Sequence, residues 1–161
     1  MNRELHDRLD AYIKQYYMEP SGSTPACQDI PVHGLAKESL SPKQAASLRE
    51  IMEELGASFH EKLFQLIKNS GMTDAEVYKL ADIDRKLFSK IRSNPAYHPR
   101  KETVIALAVA LKLDLDGTED LMSRAGYALS PSSREDLVVK FFIENRIYDI
   151  DAIHEAIQEF R

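Results

Sequence analysis

Ser or Thr followed three residues later by Glu or Gln recurs along this chain just ahead of segments whose apolar residues repeat at helical spacing: Ser41 with Gln44, Ser58 with Glu61, Thr73 with Glu76 and Ser132 with Glu135. Each pair is a capping box, in which the two side chains reciprocally satisfy amide groups left unpaired at a helix start. Other punctuation agrees: Pro42 suits a first helical position, Gly71 a helix end, Asp84 an N-cap, and Pro99 the approach to a further helix. No stretch alternates apolar and polar residues at a period of two, so strands have no signal. The spacing predicts an all-α chain, with helices near 3–17, 42–55, 59–70, 74–81, 85–92, 100–112, 117–125, 133–145 and 150–160.

The order of these segments divides the 161 residues. Residues 1–18 form an amphipathic helix whose Leu5, Leu9, Tyr12, Ile13, Tyr16 and Tyr17 make one stripe, suited to packing on its own chain or to a dimer seam. Residues 19–40 hold Pro20, Gly22, Pro25, Pro31 and Gly34 with little periodicity and read as a linker. A connecting helix follows over 41–57. The helices from 58 to 128 each carry an apolar stripe, and TVIALAVALKL is apolar almost all round, which predicts a central, buried helix. Residues 129–161 form a helical extension whose Leu137, Phe141, Phe142, Ile147, Tyr148, Ile150 and Ile153 exceed what two helices can bury alone.

Composition narrows the function classes. The start, MNRELHDRLDAY, is too charged for a signal peptide, and no window approaches the roughly 20 apolar residues needed to span a bilayer. A single cysteine, Cys27, excludes an internal disulfide and fits the cytoplasm. Chemistry has little to stand on. Histidines at 6, 33, 60, 98 and 154 form no HExxH pattern, and Cys27 with His33 supplies two zinc ligands where a structural site needs four. Neither a Gly-rich phosphate loop nor a dinucleotide fingerprint occurs. The expectation is a protein without enzymatic activity, metal or cofactor.

Charge by segment points elsewhere. The formal net charge is -5, yet Arg85 to Lys101 carries six basic residues and no Asp or Glu. With Val77, Ala81, Ile83, Phe88 and Ile91 turned inward, Arg85, Lys86, Ser89 and Lys90 fall on the opposite side of their helix. A positive face on an acidic protein suggests an anionic partner, of which nucleic acid is the commonest. The competing reading is a solvated face with no ligand.

The pair MTDAEVYKLADIDRKLFSKI, followed by HPRKETVIALAVALKLDLD, resembles the lambda-repressor-like helix-turn-helix of Xre- and Cro-class bacterial and phage regulators over roughly residues 59–122. The resemblance implies a five-helix helix-turn-helix domain with N-terminal helices and a C-terminal helical extension. It also implies a dimer on double-stranded DNA, with Asp84 to Arg92 entering the major groove. Arg85, Lys86, Ser89 and Lys90 are then expected to contact bases or phosphates, with Arg92, Arg100 and Lys101 completing the DNA-binding set.

Three positions depart from the family pattern. Asp74 stands where a phosphate-contacting Gln is frequent, and its charge repels the DNA backbone. Tyr78 replaces the small residue where the two helices cross, and Asp82 replaces the glycine of the turn. These departures suit an alternative: an adaptor or inhibitor that binds a protein partner and retains the helix-turn-helix as a scaffold.

Overall fold

The computed structural model describes residues 3–19 and 57–161. Among these the chain is all-helical: α1 Arg3–Tyr16, α2 Phe59–Ser70, α3 Asp74–Leu80, α4 Arg85–Ser93, α5 Lys101–Ala110, α6 Leu115–Arg124, α7 Arg134–Glu144 and α8 Ile150–Phe160. The expected helix over 42–55, its Ser41–Gln44 box, and the linker with Cys27 and His33 lie outside the described residues.

From α2 onward every helix start except that of α5, where Arg100 makes no side-chain cap, is capped by a Ser, Thr or Asp side chain. Ser58 accepts from the Glu61 amide and the Glu61 carboxylate accepts from the Ser58 amide; Thr73 and Glu76 repeat this at α3. The box expected at Ser132 and Glu135 does not form. Ser133 caps α7 instead, accepting from the Asp136 amide at 3.2 Å. Shifting the cap by one residue turns the Asp136 side chain inward, where it meets Lys101 and the Ser130 amide, while Glu135 pairs with Arg161. Helix α6 begins two residues earlier than its periodicity indicates, because Asp114 caps it by accepting from Gly117 N.

The ends of α3, α5 and α7 share one geometry. Asp82, Lys112 and Arg146 all take left-handed backbone, with φ of 50°, 52° and 56°. The next residue in each case, Ile83, Leu113 or Ile147, donates its amide back to Tyr78, Ala108 or Phe142 and tucks its side chain against the core. This is the Schellman arrangement, in which the apolar residue after the left-handed one clips the chain onto the helix it has just left. Asp82 therefore takes a left-handed conformation for which glycine is the usual residue, at the modest steric cost that short polar residues tolerate.

Helix α5 is central. Val104 and every residue from Ala106 to Ala110 are buried, and Leu107 has no exposed surface. It packs against α3, α6 and α8. Helix α1 folds back on α7: Leu9 and Ile13 are buried, the Tyr12 ring meets Phe141 edge-on at 5.2 Å, and its hydroxyl donates to Glu144 at 2.8 Å. Arg8 hydrogen-bonds Asn145, and His6 Nε2 lies 3.0 Å from Glu159 of α8. The surplus apolar side chains of 129–161 are covered in this way by α1 and by the helices before them. Of the two settings open to the N-terminal stripe, the structure shows packing on its own chain.

Candidate nucleic-acid interface

Helices α3 and α4 present the basic residues. Asp84 starts α4 by accepting from the Lys86 amide at 2.7 Å, and Phe88 and Ile91 fix its inner face. Phe88 sits among rings, 6.2 Å from Phe64 and 5.8 Å from Tyr78. Tyr78 of α3 is half-buried, its ring against Phe88 of α4. Between the two helices lies a groove of about 300 Å³ lined by Asp74, Ala75, Tyr78, Arg85, Phe88, Ser89 and Arg92.

The outward face of α4 carries two rows. Arg85, Ser89 and Arg92, at successive intervals of four and three residues, form the row along the groove. Lys86 and Lys90 form the second row. All five are exposed. The first turn of α4 contains no acid, and Arg85 and Lys86 stand there although a helix N-terminus disfavours cations. Such placement works against helix stability, which makes these two the residues hardest to explain as mere solvated surface.

The remaining basic residues divide. Lys90 Nζ rests 4.6 Å from the centroid of the Tyr97 ring, which restrains it without burying it. Arg92 pairs with the Asp74 carboxylate and lies over Phe64, its Cζ 4.9 Å from the ring centroid, while its carbonyl accepts from His60 Nε2 at 3.0 Å. Arg100 is exposed at the N-cap position of α5. Lys101 does not join the α4 rows: its ammonium lies 2.7 Å from Asp136, a buried carboxylate of α7. Of the expected DNA-binding set, Arg85, Lys86, Ser89, Lys90 and Arg92 are brought together on α4, and Lys101 is committed to an internal pair.

Carboxylates near the site are held ionised. Accepting from the Thr73 amide and hydroxyl keeps the Glu76 carboxyl below its usual range at the start of α3. The Ser58 amide and hydroxyl do the same for Glu61. No residue spacing announces the Asp74–Arg92 pair, since its members lie eighteen positions apart on different helices. Tyr97, which underlies Lys90, was equally silent in the sequence. Among the described residues, no group of three or more His, Cys, Asp or Glu side chains is placed to hold a metal ion, and no helix is long and apolar enough to cross a membrane. The chain matches no family model, no curated protein and no solved structure.

Proposed function

We propose that the protein is a sequence-specific DNA-binding regulator whose α3 and α4 act as a lambda-repressor-like helix-turn-helix, with α4 in the major groove. The observation that carries this reading is the outward face of α4: two exposed rows of Arg, Lys and Ser, beginning in a first turn where cations disfavour the helix. Arg85 and Lys86 are the base-reading candidates because recognition helices of this type insert their N-terminal residues deepest. Ser89 serves bases or phosphates, and Lys90 and Arg92 serve phosphates. A second copy on an adjacent half-site, about one helical turn away, completes the proposal.

Fluorescence anisotropy of the full chain against random duplex DNA and against DNA flanking its own gene, at about 50 and 200 mM salt, tests this reading. Binding through several phosphate contacts weakens by orders of magnitude over that range. Tighter binding to the flanking DNA, lost in Arg85→Glu/Lys86→Glu, supports a regulator. No binding at the lower salt sinks it.

The alternative, a protein-binding adaptor, is suited by the acidic Asp74 on the α3–α4 face, and Leu80, 53% exposed at the end of α3, is the apolar side chain through which it is tested. An adaptor is indifferent to Arg85 and Lys86 and sensitive to Leu80→Asp.

A further inference from the structure

Asp74 is the feature of the α3–α4 face most at odds with DNA binding, and its surroundings give it a use. Its carboxylate holds the guanidinium of Arg92, whose Cζ lies over the Phe64 ring and whose backbone carbonyl accepts from His60. A guanidinium has five N–H donors in a rigid fork, and the Asp74 bond occupies one of them. Arg92 lies in the row of Arg85 and Ser89 on the same groove. Both members of the pair remain substantially exposed, Arg92 at 55% and Asp74 at 37% of their side chains, so a ligand can reach the unused donors.

We infer that Asp74 is a positioning residue that presents Arg92 to a phosphate of the DNA backbone. This rests on the DNA-binding reading and deepens it. Two effects of Asp74 on a phosphate compete. Its own charge, one guanidinium further from the phosphate and in water, weakens binding by a factor of about two before salt screening. Holding the Arg92 side chain in advance avoids an ordering cost of roughly two- to tenfold in affinity for a free, rotamer-rich side chain. Preorganisation outweighs repulsion. Phe64 and Asp74 fix the guanidinium between them, so an acidic residue at the DNA face strengthens the contact.

The expected result is a reversal of sign. In the full chain, Asp74→Ala removes a negative charge from the DNA face and nevertheless weakens binding to a random duplex at about 50 mM salt by roughly two- to fivefold, the size of an exposed ion pair. Arg92→Ala weakens it further and lowers the salt slope by about one phosphate contact. In the Arg92→Ala background, Asp74→Ala tightens binding, because only repulsion is left to remove. A thermal melt of each variant confirms that it is folded. Binding that depends on Arg85 but is unchanged or tighter in Asp74→Ala overturns the inference alone. Absence of salt-dependent binding by the parent protein overturns the DNA reading and this inference with it.

Discussion

The Lys101 ammonium lies 2.7 Å from the carboxylate of Asp136, joining the start of the central helix α5 to the first turn of α7. Asp136 is almost wholly buried and accepts from the Ser130 amide as well, whereas Lys101 keeps partial access to solvent. A buried carboxylate deprived of its cation is costly, so Lys101→Met should destabilise the protein by about 1.5–3 kcal/mol in urea melts. On the proposed DNA-binding reading, affinity for a duplex should stay within about twofold of the parent at fixed salt, because Lys101 is outside the α4 rows. A large loss of affinity in a folded Lys101→Met protein would return that residue to the interface.

Stability and binding should part company at Arg85 and Lys86. Arg85→Glu/Lys86→Glu replaces two cations at the N-terminus of α4 with anions that its dipole favours, and should leave stability unchanged or raise it by about 0.3–1 kcal/mol. On the proposed DNA-binding reading, the same variant should lose binding to a duplex at every salt concentration. On a specific site, Arg85→Ala alone should cost about 1–3 kcal/mol and relax sequence preference. Equal affinity and preference in Arg85→Ala would remove that residue from the reading surface.

Leu107, with no exposed surface at the centre of α5, should cost about 2–5 kcal/mol on replacement by Ala. An unchanged melting temperature would mean that α5 is not the hub of the fold.

Leu9 is the corresponding anchor of α1. Leu9→Ala should destabilise by a similar amount, about 2–5 kcal/mol, and should raise amide exchange in α7, which α1 covers. Unchanged exchange in α7 would show that α1 does not rest there in solution.

Acid sensitivity should follow Asp120. A hydrogen bond from Lys62 of α2, then one from Arg124 of its own helix, holds its carboxyl below the ordinary range. Because the folded-state pKa is depressed, the pair contributes stability above the unfolded-state value of about 3.9, and that stability is lost as pH falls through the lower folded value. The capping carboxylates Glu61 and Glu76 shift in the same direction. These three carboxylates leave the melting temperature flat between about pH 7 and 5 and lower it below about pH 4. Asp120→Asn should lower it at neutral pH and shrink the acid-side drop. An identical acid profile would place the sensitivity elsewhere.

Local chemistry made most of the helices legible. Caps at Ser58, Thr73 and Asp84, and the end at Gly71, depend on residues within a few positions of one another, and the structure places them as their spacing indicates. Ser132 misled because two adjacent serines are equally good caps in isolation, and the partners that receive the inward Asp136, the Ser130 amide and the distant Lys101, are not part of the capping pattern. The rows on α4 were legible for the same local reason, since burial of Phe88 and Ile91 leaves Arg85, Lys86, Ser89 and Lys90 outside.

Long-range pairing lay beyond that reach. Nothing in a stripe of Leu9, Tyr12 and Ile13 tells whether it covers Phe141 of its own chain or a neighbour's, and nothing at positions 74 and 92 announces that an acid and a base will meet over Phe64. The sequence by itself determined where most helices begin, which faces they bury and where positive charge gathers, because those properties depend on residues within a few positions of one another. Tertiary structure alone decided which charges are spent inside the fold, as Lys101 is, and which remain on a surface able to meet a partner. That outcome depends on burial and on contacts between residues far apart in the chain.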